Sequence, residues 1–440
     1  MTLDLHRVDT ICALATADAP AALAVVRVSG PHADRVRHAL FRPRHGPQRP
    51  FAATLGEALD ERDAVLDECV CTAWPDGHSF TGEASFELSL HGSPVLARAV
   101  LRALVARGCR LAEPGEFTLR AVLTGRLDLT AAEAIDDVIR ARSDAAAKAA
   151  GRALRGGLAR AVEPVHRAIG EHLDFPDEDL PAARRGALSA QLEDGTALLE
   201  RLLATSAWGA RLRDGARVVL YGPPNAGKST LLNALVGEER ALVHDEPGTT
   251  RDALEVEIDL GGARVTLVDV AGVRPVDEAG AVERMGIARA GEERARADLV
   301  VTLVPADSAG ALAQLRALGG DLLVLSKADL RADRADAHDV LAVSARSGEG
   351  VDGLRGAIAA RLGPAQAEDE APLMRERQVL CVKESAAALA RALAALREAE
   401  PDELVASELR AAGRDLDRLL GRDVGAEVLE TIFSRFCIGK

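Results

Sequence analysis

Midway along the chain, GPPNAGKS (222–229) follows the apolar run ARVVLY (216–221) and precedes TLLNALVG (230–237). The spacing is G-x-x-x-x-G-K-[ST], and strand, glycine-rich loop and helix start are the context that pattern requires. The chemistry is phosphate binding. Gly222 and Gly227 let the backbone wrap closely around phosphates with its N–H groups turned inward, and the helix N-terminus adds a favourable dipole. Lys228 reaches the β and γ phosphates, and the Ser229 hydroxyl is a Mg²⁺ ligand.

Further segments follow in the order a GTP hydrolase needs. PGTTRD (247–252) carries Thr250, placed to close a switch on the metal. RVTLVDVAG (264–272) reads as a strand ending in D-x-x-G, where Asp269 holds Mg²⁺ through water and the Gly272 N–H meets the γ-phosphate. DLLVLSKAD (321–329) is another strand ending in a base-reading loop. The Asp329 carboxylate can accept two bonds from the N1–H and N2–H₂ edge of guanine; adenine offers no such pair, so this residue selects GTP over ATP. AVSARSG (342–348) supplies a backbone N–H, from Ala345, to guanine O6. The expected nucleotide contacts are Asn225, Ala226, Gly227, Lys228, Ser229 and Thr230; His244, Asp245, Glu246, Pro247, Gly248, Thr249 and Thr250; Asp269, Val270, Ala271 and Gly272; Ser326, Lys327, Ala328 and Asp329; and Ser344, Ala345 and Arg346. Ser229 and Thr250 are the expected Mg²⁺ ligands. Two departures stand out. The base-reading motif starts with Ser326 where Asn is usual, and Val273 follows Gly272 where a Ras-like protein has its water-positioning Gln.

Positioning these residues requires alternating strands and helices, which predict a doubly wound, mostly parallel sheet. That domain is one part of the molecule, because 440 residues suffice for two to four domains. With 48% hydrophobic and 28% charged residues but only 2% aromatic, the core must be built from Ala, Leu and Val, which favours helices. A net charge of −14 excludes a dedicated nucleic-acid coat protein, although a local basic patch could still touch RNA. The one candidate is HADRVRHALFRPRHGPQRP (32–50), with Arg35, Arg37, Arg42, Arg44 and Arg49; it reads first as a solvated basic loop. Six scattered cysteines have no C-x-x-C spacing, which argues against a zinc ribbon or thioredoxin-type site. Cys69 and Cys71 lie on one face of an expected strand, as core residues do. The start lacks a basic region followed by a long apolar stretch, and no run approaches the roughly 18 apolar residues of a membrane span. A cytoplasmic location is expected.

GPPNAGKS, PGTTRD, DVAG and the terminal FCIGK (436–440) together make the chain resemble the tRNA-modification GTPase family of the MnmE/TrmE type. The resemblance extends over the whole length through VVRVSG (25–30), SFTGE (79–83), HGSPV (91–95), PGEFTLRA (114–121), GRLDLTAAEA (125–134) and LDFPDE (173–178). It implies an α/β multidomain fold: an N-terminal α/β folate-binding and dimerisation domain (1–118), a helical domain from two chain segments (119–213 and 366–440), and an inserted Ras-like P-loop G domain (214–365). The helical segments are rich in Ala, Leu, Arg and Glu, and the second is too short to bury a core alone.

The resemblance also implies residue roles. G domains of the family pair face to face and depend on K⁺, for which Asn225, His244, Glu246 and Thr249 would be ligands. The catalytic Glu of the second switch falls on Glu283 in VERMG, where it orients the attacking water. The stretch before it, VRPVDEAGA, is about two residues longer than expected. The folate positions fall on Arg27, Glu87, Arg126 and Lys440. Position 126 is usually Lys, and the usual G-R-G before the first of these strands is replaced by ADAPAALAVV. The family acts with a flavoprotein partner in a heterotetramer. It installs an aminomethyl-type group at C5 of the wobble uridine of certain tRNAs, taking the carbon from 5,10-methylene-tetrahydrofolate.

A ribosome-assembly GTPase, a binding switch without covalent RNA chemistry, is the alternative. It would share the phosphate loop and GTTRD but not SFTGE, PGEFT and a terminal Cys. Cys437 is a poor prenylation site, because Lys ends the chain and no polybasic segment precedes it. The remaining reading is a tail that folds back toward the folate site, with Gly439 freeing the turn and Cys437 serving in the modification reaction.

Overall fold

The computed structural model describes residues 8–173, 182–237, 254–260, 263–270, 290–330, 339–363 and 371–439. It separates into two compact units. One comprises Met1–Asp136, Leu154–Glu178 and Ala406–Lys440; the other comprises Asp137–Ala153 and Asp179–Val405.

The first unit is built on a seven-stranded sheet of β1 (Ile11–Leu14), β2 (Leu23–Ser29), β3 (Phe41–Pro43), β4 (Thr54–Leu59), β5 (Val65–Trp74), β6 (Ser85–His91) and β7 (Arg110–Leu111). The order is β3-β4-β5-β6-β2-β1-β7, antiparallel throughout except for the β1–β7 pair. Alternation sets the two faces. In SFELSLH, Phe86, Leu88 and Leu90 are buried, while Ser85, Glu87 and Ser89 face the other way. Val26 and Val28 of β2 join the buried set, and helices Ala33–Leu40 and Pro94–Ala106 cover it with Val36, Leu40, Val100 and Leu104. Each fully buried Phe, Leu or Val contributes about 1.5–3 kcal/mol. A one-residue slip would turn all of them to the opposite face, so the register is firmly set. It pairs Arg27 of β2 with Glu87 of β6.

Helix Ala426–Phe433 packs its Leu429 and Phe433, with Phe436 beyond its end, against Leu119, Leu129 and Ala132. The last residues of the chain are thereby held in the same unit as the antiparallel sheet. Cys69 and Cys71 are core residues of β5, where burial pushes their thiols up to about 12 and about 11. The basic segment is not a loop throughout. Val36 and Leu40 recur at helical spacing, so residues 33–40 are an α-helix that buries them, followed directly by β3. Arg37 is buried with them and bonds Gln48 (2.6 Å).

The second unit holds a six-stranded sheet of β8 (Ala216–Tyr221), β9 (Leu254–Leu260), β10 (Ala263–Asp269), β11 (Leu299–Pro305), β12 (Leu322–Ser326) and β13 (Val340–Val343). The order is β13-β12-β11-β8-β10-β9, parallel except for the edge strand β9. Helices Lys228–Val236 and Val351–Leu362 cover one face through Leu231, Leu235, Leu354 and Ile358. Helix Ala311–Leu318 covers the other through Ala311 and Leu315. With both faces covered, β11 is buried along its whole length. This is the expected doubly wound α/β sheet within a multidomain chain. The same unit contains the helices Ala182–Ala204 and Glu376–Arg397, packed on each other and tied by Arg397 to Glu193 (2.9 Å). Among the described residues no helix is long and apolar enough to cross a membrane.

Candidate functional site

The phosphate loop begins where β8 ends at the switch point of the sheet, with β11 on one side and β10 on the other. Gly222 (φ 154°) passes so close to β11 that a Cβ would stand 2.2 Å from the Leu303 carbonyl oxygen. Asn225 (φ 62°) and Gly227 (φ 83°) take left-handed backbone, and Gly227 caps the helix starting at Lys228. A Cβ at Gly227 would meet nothing within 4 Å, so the mouth of the loop is open. These are the properties of a concave cradle of backbone N–H groups. The Lys228 ammonium bonds the carbonyls of Gly222 (3.1 Å) and Pro223 (3.0 Å). Burial pushes its pKa below the ordinary lysine value, and the Asp269 carboxylate offsets part of that shift. The Ser229 hydroxyl donates to Asp269 (2.5 Å). The direct and the water-mediated ligand expected for Mg²⁺ thus adjoin each other, an all-oxygen donor set suited to that ion.

The base-reading residues converge from two other strands. The Ser344 hydroxyl, fully buried at the end of β13, donates to the Asp329 carboxylate (2.6 Å) and holds it below the usual aspartate range. The Ser347 N–H in turn donates to Ser344 Oγ (3.2 Å). Ser326, at the end of β12, donates its hydroxyl to the Ala226 carbonyl of the phosphate loop (2.6 Å). The base-reading loop is therefore bonded to the phosphate loop through a serine, and Lys327 follows in left-handed backbone (φ 55°). The structure brings Asn225 to Thr230, Asp269, Val270, Ser326 to Asp329 and Ser344 to Arg346 to the C-terminal ends of neighbouring strands, the usual ligand position in such sheets. His244, Asp245, Glu246, Pro247, Gly248, Thr249, Thr250, Ala271, Gly272 and Glu283 lie outside the described residues.

The first unit holds a second constellation. Arg27 Nε donates to Glu87 (2.7 Å) across the β2–β6 pair. Its Nη1 donates to the Gly439 carbonyl (3.2 Å), and its guanidinium lies 5.7 Å over the rings of Phe80 and Phe117. Gly439 (φ 89°) passes so close to β1 that a Cβ would stand 2.5 Å from Leu14 O. The tail is therefore folded against β1 and β2. Five of the six cysteines are buried, and Cys437 is exposed. Its carbonyl accepts from the Gly115 N–H (3.5 Å). Arg126 lies beside the SFTGE segment, its Cγ 3.2 Å from where a Cβ on Gly82 would stand. Lys440 lies outside the described residues.

A charged network that the sequence motifs do not announce lies in the same unit. Arg120 reaches Asp9 (2.6 Å), Glu116 (3.0 Å) and Glu83 (3.2 Å), while Arg110 reaches Glu116 (2.6 Å) and Asp9 (2.8 Å). The Ser29 hydroxyl adds a bond to Glu83 (2.8 Å). Burial alone would raise the Glu116 pKa; bonds from Arg110, the Glu113 N–H and Arg120 override it and hold the carboxyl below the usual range. The i,i+4 spacing of Glu116 and Arg120 in PGEFTLRA was the available signal.

A family model described as the MnmE helical domain matches residues 129–437, and one described as the GTP-binding protein TrmE N-terminus matches 10–126. The tRNA modification GTPase MnmE of Parvibaculum lavamentivorans is 42% identical, covering 98% of this chain and 100% of its own. That of Methylobacterium sp. is 44% identical with the same two coverages. Among solved structures, the FeoB G-domain from Methanococcus jannaschii is 28% identical over 33% of this chain and 97% of its own, with a TM-score of 0.26. With both models and near-complete relatives above 40% identity, the chain belongs to the tRNA modification GTPase MnmE family.

Proposed function

We propose that the chain is a GTP hydrolase of tRNA modification that adds an aminomethyl or carboxymethylaminomethyl group at C5 of the wobble uridine. Residues 214–365 serve as the G domain, inserted between helical segments 119–213 and 366–440, and residues 1–118 serve as the folate-binding and dimerisation domain. In the G domain, Lys228 is freed from its loop carbonyls to bind β and γ phosphates. Ser229 and Thr250 hold Mg²⁺, with Asp269 acting through water. Asp329, oriented by Ser344, accepts from guanine, and Glu283 orients the attacking water. Asn225, His244, Glu246 and Thr249 hold K⁺. The bound metal ions supply positive charge that offsets charge on the phosphates.

In the first unit, Glu87 offers a carboxylate to a pterin edge, while Arg27, Arg126 and Lys440 suit the folate glutamate tail. Bound 5,10-methylene-tetrahydrofolate supplies the one-carbon unit, and a flavoprotein partner, joined in a heterotetramer with a homodimer of this chain, carries the redox chemistry. The cytoplasm provides GTP, folate and tRNA together.

The bond from Arg27 to the Gly439 carbonyl carries this reading over a ribosome-assembly switch. It fastens the tail bearing an exposed thiol beside Glu87, an arrangement that a binding switch does not need. Cys437→Ser is expected to abolish tRNA modification, assayed by nucleoside analysis with the flavoprotein present, while GTP turnover stays at the wild-type rate. Loss of both activities would assign Cys437 a structural role and overturn the assignment.

A further inference from the structure

Phe51 is an exception in a chain with eight Phe, two Trp and one Tyr. It is 59% exposed and sits in left-handed backbone (φ 62°), a conformation that bulky residues rarely adopt. Its ring meets His78 edge to face, with centroids 5.9 Å apart and planes at 84°, so the pair forms an exposed corner of two aromatic surfaces. His78 is held by a closed turn, in which Gly77 N–H donates to Gly82 O (2.8 Å) and His78 N–H to Pro75 O (3.1 Å). Arg49, two residues before Phe51, is exposed and makes no ion pair among the described residues.

The corner adjoins the site proposed above. The Phe51 N–H donates to the Ala73 carbonyl on β5 (2.9 Å), and Ala73 stands in register with Phe86, and Phe86 with Val28. The next row of the sheet is Thr72, Glu87 and Arg27. Two strands separate Phe51 from the strand of Arg27, about 14 Å at the usual spacing. The turn carrying His78 also carries Phe80, 40% exposed beneath the Arg27 guanidinium.

We propose that Phe51 and His78 form a stacking platform for an unpaired nucleotide of the RNA substrate, with Arg49 contacting the adjacent phosphate. Flat exposed rings beside an unpaired arginine are the chemistry by which proteins hold splayed-out bases of RNA loops. The platform rests on the modification reading, because it serves to hold an anticodon loop while the neighbouring wobble base reaches Arg27, Glu87 and Cys437. A basic surface alone would leave the exposed ring and its strained backbone without a role.

The test is binding of a synthetic anticodon stem–loop RNA, with an unmodified wobble uridine, to the full-length chain. Phe51→Gly suits the backbone and removes the ring; it should weaken binding about tenfold or more, as should Phe51→Leu, while Phe51→Tyr retains it. Arg49→Ala should reduce the slope of log affinity against log salt by about one. GTP turnover stays unchanged in all of them. Equal RNA affinity of wild type, Phe51→Gly and Phe51→Leu would overturn the platform, as would an absence of RNA binding by the wild type. Equal RNA affinity with weakened self-association of Phe51→Gly would reassign the corner to a contact between two copies of the chain. The modification reading is judged separately by the Cys437→Ser assay, so a failure of the platform is distinguishable from a failure of that reading.

Discussion

Ser326 occupies the place where asparagine is usual, and its hydroxyl still reaches the Ala226 carbonyl (2.6 Å). The shorter side chain keeps the tie between base-reading and phosphate loops, because β12 delivers it directly behind the loop. Ser326→Ala would leave that buried carbonyl without this donor, at a cost of about 1–3 kcal/mol. GTP affinity, measured by titration of a fluorescent GTP analogue, is expected to fall about tenfold. An unchanged affinity would show that the phosphate loop holds its shape without Ser326. The same residue-scale logic separates the cysteines. Burial pushes Cys69 and Cys71 away from reactivity, whereas Cys437 is accessible.

The elements SFTGE and PGEFTLRA are joined by charge. Arg120 is buried and bonds three carboxylates, so deleting it leaves the buried Glu116 without one of its partners. Arg120→Ala is expected to destabilise the first unit by about 3–5 kcal/mol, read as a lower midpoint of thermal unfolding. The pH dependence has a definite sign. Arg110 and Arg120 hold Asp9 and Glu116 below their unfolded values, against the opposing effect of burial. The stability they contribute is therefore fully present above about pH 4, the unfolded carboxylate value, and is lost as pH falls through the lower folded value. Wild type should lose this increment on acidification, and Arg120→Ala should show a flatter acid limb. Equal midpoints for the two proteins at neutral pH would remove the network from the account of stability.

At the scale of the whole molecule, the proposed mechanism would pair two G domains around a monovalent ion. Val273 replaces the water-positioning Gln, so another group must orient the water. GTP turnover is expected to be much faster in K⁺ than in Na⁺, and Glu283→Ala is expected to reduce the K⁺ rate by about 10²-fold or more while nucleotide binding persists. Equal rates in the two salts would sink the potassium mechanism. The device suits a switch, because loops ordered by phosphate and metal are a recurrent two-state element.

The G domain was legible because its chemistry is local. GPPNAGKS places strand, loop, lysine and hydroxyl within a few residues, and the alternating strands and helices prescribe one sheet topology. The glycine positions followed from residue type alone, and the proposed preference of Asp329 for guanine rests on the same local chemistry. Long-range pairing decided the rest. The rerouted bond of Ser326 depends on a contact between positions 100 residues apart. The helix at 33–40 lay hidden under arginines, since charge obscured the spacing of Val36 and Leu40. The network around Arg120 joins residues up to 111 positions apart, and Arg27 meets Gly439 across 412. A motif records what neighbouring residues can do. Which distant carboxylate an arginine reaches is set by the register of the sheet and the packing of Phe433 and Phe436 that bring the chain's end to its beginning.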